Sequence, residues 1–352
     1  MSKAYATLKD VAKKARTSAA TVSYVLNDSK TRYISDEMRE RVLAAAKELN
    51  YVKSSAASFL RGKKRKMLAV LVPQFANQFF TQVALAVDNV AHKHGYMISI
   101  CNTFDEPERE GEIIERMQQQ RMDGYIIMPT REGPENTRQL RELGVPLVIV
   151  DRPLEETEHY NYVGTKNYQC SYTGIRHLIK KGHRRIAFVG WDSGIADLIG
   201  RRTAYFDAMK KAKIPESEQL VLSGAFTDEA GYRMTREIIE KHKDVTAIFY
   251  AYNIQALGGV KYLREHGIQA GKDISVALIG TPDWAVIANY TRVDMKPYSL
   301  GKQAAQLMFE LLASKSPKEP QKIILNGHLV EGTSVRDLTA EPIPVPARKT
   351  KK

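Results

Sequence analysis

The fold of most of this chain is constrained by one feature, a regular alternation of short apolar runs with amphipathic helical segments. The apolar runs are rich in Val, Ile and Leu, as in MLAVLVP and PLVIVD. Runs of this composition are typical of strands that are buried on both faces of a parallel sheet. The alternation occurs in two successive series, and the second extends from RRIAFVG to ISVALIG. It therefore predicts two lobes, each a doubly wound parallel sheet covered by helices.

The loops that follow the predicted strands are the candidate ligand-binding segments. In doubly wound sheets, small ligands bind beyond the carboxyl ends of the strands. We therefore expect these loops to line a cleft between the two lobes. They are PQFAN, NTFDE, PTRE, VDRP, VGWDS, YAYN and IGTPD.

Residues 1–52 follow a different pattern, which contains short helices only. Thr7 is followed three residues later by Asp10, the spacing of a capping box, and Ser18 is placed to cap a second helix. A third helix is predicted to start at Ser35. Two short helices around a tight turn are typical of a helix-turn-helix that enters DNA, and a plain surface helical hairpin is the alternative.

Positive charge is concentrated in and beside this helical head. The chain has 53 basic and 40 acidic residues, a net charge of +13. Residues 1–66 hold 16 of the basic and 6 of the acidic residues, and residues 348–352 add four basic ones. The remaining body, residues 67–347, is close to neutral, with 33 basic and 34 acidic residues. A positive head on a neutral body suits binding to nucleic-acid phosphates and favours the DNA-binding interpretation.

Two further segments carry the remaining basic charge. Residues 53–66 contain one or two predicted helical turns followed by a basic run, and we expect a hinge helix and linker there. So short a helix needs a partner or DNA to be stable. Residues 339–352, TAEPIPVPARKTKK, are expected to form a disordered basic tail. This tail contains no leucine heptads, so no tetramerising helix is predicted.

Composition and motifs argue against several other classes of protein. The first twenty residues are charged and lack an apolar core, so we expect no secretory signal, no membrane association and a cytoplasmic location. Cys101 and Cys170 are isolated, which supports neither a disulfide framework nor a zinc site. The chain also lacks GxGxxG, GxxxxGK[ST], HExxH and GxSxG. We therefore predict no enzymatic activity, no metal and no cofactor.

The sequence resembles the LacI/GalR (lactose-repressor type) family of bacterial transcriptional regulators from about Ala6 to Arg336. The resemblance is carried by TLKDVAKKARTSAATVSYVLN, ISDEMRERVLAAAKELNYV, VPQFANQFF, GHRRIAFVG and YNIQALGGVKYLREHGIQAGKDISVALIG. It implies an all-α helix-turn-helix head and a two-lobed α/β core of the type I periplasmic-binding-protein kind, residues 67–338. The implied N-lobe is about residues 67–164 and 297–323, and the implied C-lobe is about residues 165–294 and 324–338.

The same resemblance implies a function. Members of the family bind palindromic operators as homodimers, and a small-molecule effector in the cleft changes their affinity for DNA. We therefore predict a sequence-specific transcriptional regulator, specifically a repressor. A two-lobed solute-binding protein, or a doubly wound enzyme with an accessory basic head, is the alternative.

The family's DNA contacts are carried over by position. Ala19, Ala20 and Tyr24 would face the bases from the second helix of the head. Ala57 and Leu60 match hinge residues that enter the minor groove, where a leucine wedge unstacks a base step. Packing of Leu60 between paired hinge helices is the alternative. The other positions expected to contact DNA are Thr7, Ser18, Thr21, Ser23, Asn27 and Tyr51.

Two positions in this region depart from the family pattern. Tyr24 stands where the family most often has arginine, so the bidentate arginine–guanine contact is lost and operator preference should differ. Lys53 stands where a proline commonly precedes the hinge, and it would either add a phosphate contact or loosen the start of the hinge.

The cleft departs further from the pattern. Lys166, Ile254 and Thr281 occupy strand ends where many sugar-binding members have aspartates that accept hydrogen bonds from sugar hydroxyls. Arg201 and Asn253 are retained. With Lys166 and Arg201 facing one cleft, an anionic or phosphorylated effector is favoured over the neutral sugar that the family suggests. A response transmitted by a protein partner is a third interpretation.

The residues predicted to bind the effector come from both lobes. They are Asn77, Phe79, Arg131, Lys166, Trp191, Arg201, Asn253 and Thr281. For the aromatic candidates, stacking in the cleft and packing in the core are equally open interpretations, and these candidates are Phe79, Phe80, Trp191 and Trp284.

Overall fold

A computed structural model describes most of the chain, which divides into two compact units, residues 1–65 and 66–352. The predicted hinge helix lies outside the described residues, as does the predicted tail beyond residue 340. No helix in the described part is long and apolar enough to cross a lipid bilayer. The described ranges are residues 6–27, 33–52, 64–130, 134–154, 159–191, 196–314, 316 and 319–340.

The first unit contains the three predicted helices, α1 (Leu8–Lys14), α2 (Ala19–Leu26) and α3 (Asp36–Glu48). Arg16, in the turn between α1 and α2, has a left-handed backbone with φ 51°. Apolar residues at helical spacing lie on one face of each of the three helices, and these faces meet in one small core. That core consists of Val11, Ala12, Ala15, Val22, Val25, Val42, Ala45 and Ala46.

The predicted caps of α1 and α2 are both present. Thr7 accepts a hydrogen bond from the Asp10 amide at 3.3 Å, and the Asp10 carboxylate accepts one from the Thr7 amide at 2.7 Å. The hydrogen bonds from Thr7 hold the pKa of the Asp10 carboxyl below its ordinary value. Ser18 accepts a hydrogen bond from the Thr21 amide at 3.1 Å. These contacts satisfy amide groups that helix starts leave unpaired.

The first lobe of the second unit is a six-stranded parallel sheet in the order β2-β1-β3-β4-β5-β11. Its strands are β1 (Met67–Val72), β2 (Met97–Asn102), β3 (Gly124–Ile127), β4 (Leu147–Val150), β5 (Asn161–Thr165) and β11 (Lys322–Leu325). Its helices are α4 (Gln78–Lys93), α5 (Pro107–Gln119), α6 (Pro134–Glu142) and α12 (Pro297–Ala313).

The second lobe is a six-stranded sheet in the order β7-β6-β8-β9-β10-β12, in which only β12 runs antiparallel to its neighbour. Its strands are β6 (Ile186–Trp191), β7 (Leu220–Gly224), β8 (Ala247–Tyr250), β9 (Ser275–Ile279), β10 (Thr291–Asp294) and β12 (His328–Val330). Its helices are α7 (Asn167–Lys180), α8 (Ala196–Lys211), α9 (Asp228–Lys241), α10 (Asn253–Glu265) and α11 (Asp283–Ile287).

The two lobes are linked by three crossings of the chain, which follow β5, β10 and β11. Each sheet is covered by apolar clusters on both faces, as expected for parallel sheets with helices on both sides. Strand β11 belongs to the first lobe through Leu325, two residues beyond the predicted boundary at residue 323. The carboxyl ends of the strands of both lobes therefore face the region where the chain crosses.

Candidate functional site

The predicted base-facing residues of the head lie on α2, and most of them stay outside the head core. Ala20 is exposed, and Tyr24 and Thr21 are half-buried. Ala19 differs, because it is half-buried and packs against the core cluster. The surface that α2 offers to a ligand is therefore centred on Ala20 and Tyr24.

Several of the predicted phosphate contacts also hold the local structure. The Asn27 side-chain amide donates to the Ser23 carbonyl at 2.7 Å and lies 3.2 Å from the Ser23 hydroxyl. The Ser18 and Thr21 hydroxyls are 2.9 Å apart. Tyr51 packs against the head core and is half-buried. The predicted DNA contacts that lie outside the described residues are Ala57 and Leu60.

A cavity of about 40 Å³ lies between the two lobes at the strand ends. This volume is well below that of typical small-molecule sites, so we expect the lobes to separate when a ligand of ordinary size binds. The lining comes from both lobes, and it is more apolar than polar. The lining residues are Asn77, Phe79, Phe80, Asp151, Arg152, Trp191, Arg201, Phe226, Tyr252, Asn253, Ile279, Gly280 and Met295.

The second lobe contributes an aromatic wall, formed by Trp191, Phe226 and Tyr252. The ring centroids of Trp191 and Phe226 are 5.0 Å apart, and the Tyr252 centroid lies 6.0 Å from that of Trp191 and 5.5 Å from that of Phe226. These rings come from the ends of three neighbouring strands, β6, β7 and β8. Contacts at these distances are favourable edge or tilted ring pairs. The wall presents an apolar surface to whatever occupies the cavity.

The first lobe places a guanidinium group opposite this wall. Asp151 follows β4 with a left-handed backbone, φ 67°, and the Arg152 amide donates to the Val150 carbonyl at 2.8 Å. This γ-turn is a strained conformation, and such strain is often found at functional sites. Arg152 is almost fully buried, and its guanidinium carbon lies 5.3 Å from the Trp191 ring centroid. That contact is a cation–π interaction between the lobes.

Arg152 uses one edge of its guanidinium group for fixed contacts. Its Nη1 pairs with the Asp105 carboxylate and donates to the Pro129 carbonyl at 3.3 Å. Both of its hydrogen bonds to described residues come from Nη1, and none comes from Nε or Nη2. A guanidinium has five N–H donors, so Arg152 keeps donors for a ligand.

Arg201, by contrast, donates its hydrogen bonds to residues of the second lobe. Its Nε donates to the Asn167 side-chain oxygen at 2.7 Å, and its Nη1 donates to the Ala251 carbonyl at 2.6 Å. Its guanidinium also stacks 4.5 Å from the centroid of the Tyr252 ring. Arg201 therefore supports the aromatic wall from behind as well as lining the cavity.

Two sets of hydrogen bonds join the lobes beside the cavity. The side-chain amides of Asn77 and Asn253 pair, with Asn253 Nδ2 donating to Asn77 Oδ1 at 2.9 Å. The Asp283 amide donates to the Gln78 side-chain oxygen at 2.8 Å. Because these bonds connect the start of α4 to the second lobe, they form only when the lobes are close.

The remaining predicted effector contacts lie elsewhere. Lys166 stands at the N-cap position of α7 and lines a separate cavity with Lys322 and Tyr162, so it does not share the interlobe cavity with Arg201. Thr281 lines a small neighbouring cavity that shares Phe79 and Asn253 with the main one. Arg131 lies outside the described residues.

Of the four ambiguous aromatic residues, three line the cavity and one does not. Phe79, Phe80 and Trp191 are in the lining, whereas Trp284 packs against Tyr290 with ring centroids 5.5 Å apart. The other cavity residues were not among the predicted effector contacts, although five of them stand in the strand-end loops that were expected to line the cleft. The lining residues missed as effector contacts are Asp151, Arg152, Phe226, Tyr252, Ile279, Gly280 and Met295.

Comparisons with known proteins agree with this architecture. Residues 7–54 match the family model of bacterial regulatory proteins of the lacI family, and residues 175–335 match that of the periplasmic binding protein-like domain. The HTH-type transcriptional repressor PurR of Klebsiella pneumoniae (strain 342) is 32% identical over 339 residues, which cover 94% of this chain and 97% of the relative.

Solved structures show the same fold. The transcriptional regulator CelR in complex with cellobiose has a TM-score of 0.68 at 26% identity, covering 94% of this chain and 99% of that one. The lac repressor dimer bound to operator and the anti-inducer ONPF has a TM-score of 0.80 at 23% identity, covering 95% of this chain and 100% of that one. The chain therefore belongs to the LacI family and is a DNA-binding transcriptional regulator with a helix-turn-helix head and a two-lobed periplasmic-binding-protein-like core.

Proposed function

We propose that this protein is a repressor that binds palindromic operators as a homodimer, and that a small molecule between the lobes of its core changes its affinity for DNA. The observation that carries the proposal is the interlobe cavity, whose walls and cross-lobe hydrogen bonds come from both lobes. A ligand there has different contacts in open and closed lobes, and it therefore shifts the population between them. The relatives that bind operator and ligands share this fold.

We propose further that Ala20 and Tyr24 contact bases and that the segment of residues 53–66 transmits lobe movement to the head. The support is the exposed position of Ala20 on α2 and the carry-over from the family's recognition helix. Tyr24 in place of an arginine suggests an operator that differs from those of most relatives. Because the protein binds DNA, we also propose a cytoplasmic location in a bacterium. No catalytic role is proposed, because its relatives are named as repressors.

The effector class follows from the lining of the cavity. The free donors of Arg152 favour an anionic group, and the aromatic wall favours an apolar or planar body beside it. Lys166 does not contribute, because it lines a different cavity. A neutral sugar is the second candidate, since CelR, a relative of the same fold, was solved with cellobiose.

Operator binding is tested with the full chain on random-sequence duplexes carried through several rounds of selection. The expected result is a palindromic consensus bound by two chains, measured by anisotropy and by sedimentation. Binding without sequence preference would contradict the proposal.

The effector class is tested with ribose and its monophosphate, which differ by one phosphoryl group. Trp191 fluorescence in a Trp284→Phe background reports binding, because Trp191 lines the cavity and Trp284 does not. The monophosphate should alter the signal more than ribose, and Arg152→Met should remove that preference. Lys166→Met is the matched control and should retain it. A stronger response to ribose would favour the sugar candidate.

A further inference from the structure

Gln255 is a fully buried polar residue in the first turn of α10, behind the aromatic wall. Its Nε2 donates to the Gly190 and Ala225 carbonyls, both at 2.9 Å, and lies 3.5 Å from the Gly224 carbonyl. Gly190 and Ala225 immediately precede Trp191 and Phe226, two of the three rings of the wall. One side-chain amide therefore ties together the backbone that carries both rings.

The other polar atom of the Gln255 side chain, Oε1, makes no contact in the described part of the chain that would explain a glutamine at this position. This oxygen is buried and has no hydrogen-bond partner among the described residues. A buried acceptor without a donor destabilises the folded state, so an apolar side chain of similar size would relieve one cost while losing the two carbonyl contacts. Polar groups retained under such conditions are commonly found at functional sites.

Helix α10 also connects Gln255 to the third ring of the wall, Tyr252. Tyr252 directly precedes α10, and Asn253, its first residue, forms the cross-lobe bond to Asn77. Gln255 thus connects the strand ends of β6 and β7 to the helix that carries the remaining ring and one of the interlobe contacts. A shift of this amide would move all three rings relative to one another.

We propose that Gln255 is the positioning residue of the aromatic wall and that it thereby determines which ligands the cavity accepts. Gln255 acts through Trp191 and Phe226 and does not itself line the cavity. The link to an effector rests on the proposed function, whereas the position of the wall does not. The test therefore measures the wall directly, and operator binding is measured separately.

The chain offers a matched control at the opposite ends of the same two strands. The buried Tyr205 hydroxyl donates to the Ile186 carbonyl at 2.8 Å and accepts from the Leu220 amide at 3.0 Å. Ile186 and Leu220 are the first residues of β6 and β7. Tyr205→Phe therefore removes the two hydrogen bonds by which this hydroxyl links the start of β6 to the start of β7, far along the strands from the wall.

The experiment compares Gln255→Met and Tyr205→Phe in the full chain carrying Trp284→Phe, so that Trp191 is the single tryptophan. The measurements are acrylamide quenching, emission maximum and thermal unfolding. We expect Gln255→Met to raise the quenching constant at least about twofold and to shift the emission to longer wavelength, because local opening exposes the ring. Tyr205→Phe should lower the unfolding temperature and leave both fluorescence values unchanged.

Two results would overturn the proposal. One is a Gln255→Met protein whose Trp191 is quenched as in the parent. The other is a Tyr205→Phe protein whose quenching rises as much, since that would indicate general loosening of the lobe. If Gln255→Met does not fold, Gln255→Asn replaces it, because its shorter amide cannot reach both carbonyls and the same comparison applies. Operator binding is measured separately for each variant, so that a failure of the wall proposal is distinguished from a failure of the repressor proposal.

Discussion

Several polar side chains at the ends of α2 stabilise the local structure and are also proposed to contact DNA. Ser18 holds the Thr21 amide, and Asn27 holds the Ser23 carbonyl, so four of the predicted phosphate contacts also fix the helix ends. Substituting them would change helix stability and DNA contact together. Tyr24 is a more informative position, because it stands within α2 and at neither of its caps.

Tyr24→Ala is therefore expected to weaken binding to the selected operator by about tenfold to a hundredfold, the range for loss of a base contact. Binding to random duplex should change little, because phosphate contacts dominate non-specific affinity. Anisotropy titrations on both duplexes measure the ratio of the dissociation constant for random duplex to that for the operator. Tyr33→Ala is the control, since Tyr33 is an almost fully exposed tyrosine of the same head and lies outside α2. Equal losses on both duplexes would remove Tyr24 from base recognition.

A second residue-scale prediction concerns pH. Burial lowers the pKa of His183 from its ordinary value of 6.5 to about 4. The neutral ring bonds to the Thr246 hydroxyl at 2.9 Å and the Arg336 carbonyl at 3.2 Å. The unfolded chain binds a proton more readily than the folded one, so this stabilisation is present above pH 6.5 and is lost as the pH falls towards about 4.

The unfolding temperature of the parent should therefore fall between pH 6.5 and 4 by a few degrees more than that of His183→Gln. Calorimetry of both proteins across this range checks the difference. His92→Gln, which removes an exposed histidine from α4, should follow the parent profile. If the unfolding temperatures of the parent and of His183→Gln fell in parallel with pH, the stabilising role of the neutral His183 ring would be contradicted.

At the scale of elements, α4 and α12 pack very closely against each other in the first lobe. A Cβ atom at Gly301 would lie 2.2 Å from the Val83 carbonyl oxygen and 2.9 Å from its carbon. Both atoms are backbone, so the two helices would have to move apart. This glycine allows the close approach of α12 to α4.

Gly301→Ala should accordingly destabilise the core by about 1–3 kcal/mol, the cost of overpacking. Gly200→Ala in α8 is the matched helical control, because its nearest atom would lie at an ordinary 3.6 Å. It should raise stability by up to about 1 kcal/mol, since alanine favours the helix. Denaturant unfolding of both variants measures the sign of the change in the free energy of unfolding. An unchanged value for Gly301→Ala would contradict the prediction and show that α12 can move away from α4 without cost.

The helices and strands of this protein were largely predictable from the sequence, whereas the residues that line its cavity were not. Strand and helix periodicity located both lobes, and the Thr7 and Ser18 caps were correctly placed from local spacing. The γ-turn at Asp151, which brings Arg152 over Trp191, has no counterpart in hydrophobic periodicity. Lys166 follows a strand end, as the cavity residues do, but β5 lies next to the edge of its sheet and its end opens into another cavity.

At the scale of the whole molecule, every interlobe contact described above lies beside the cavity. Asn77 pairs with Asn253, Gln78 accepts from the Asp283 amide, and Arg152 stacks on Trp191. A ligand that inserts between Arg152 and Trp191 must separate them or replace their contact. We therefore predict that effector binding changes the distance between the lobes, and that this change is the signal that alters DNA affinity.

The most direct test of this account is genome-wide footprinting of the purified full chain on genomic DNA from its own bacterium, with and without a metabolite extract. The account predicts discrete palindromic sites whose protection changes when the extract is added. Weak binding that is uniform along the genome, falls steeply with salt and ignores the extract would contradict it.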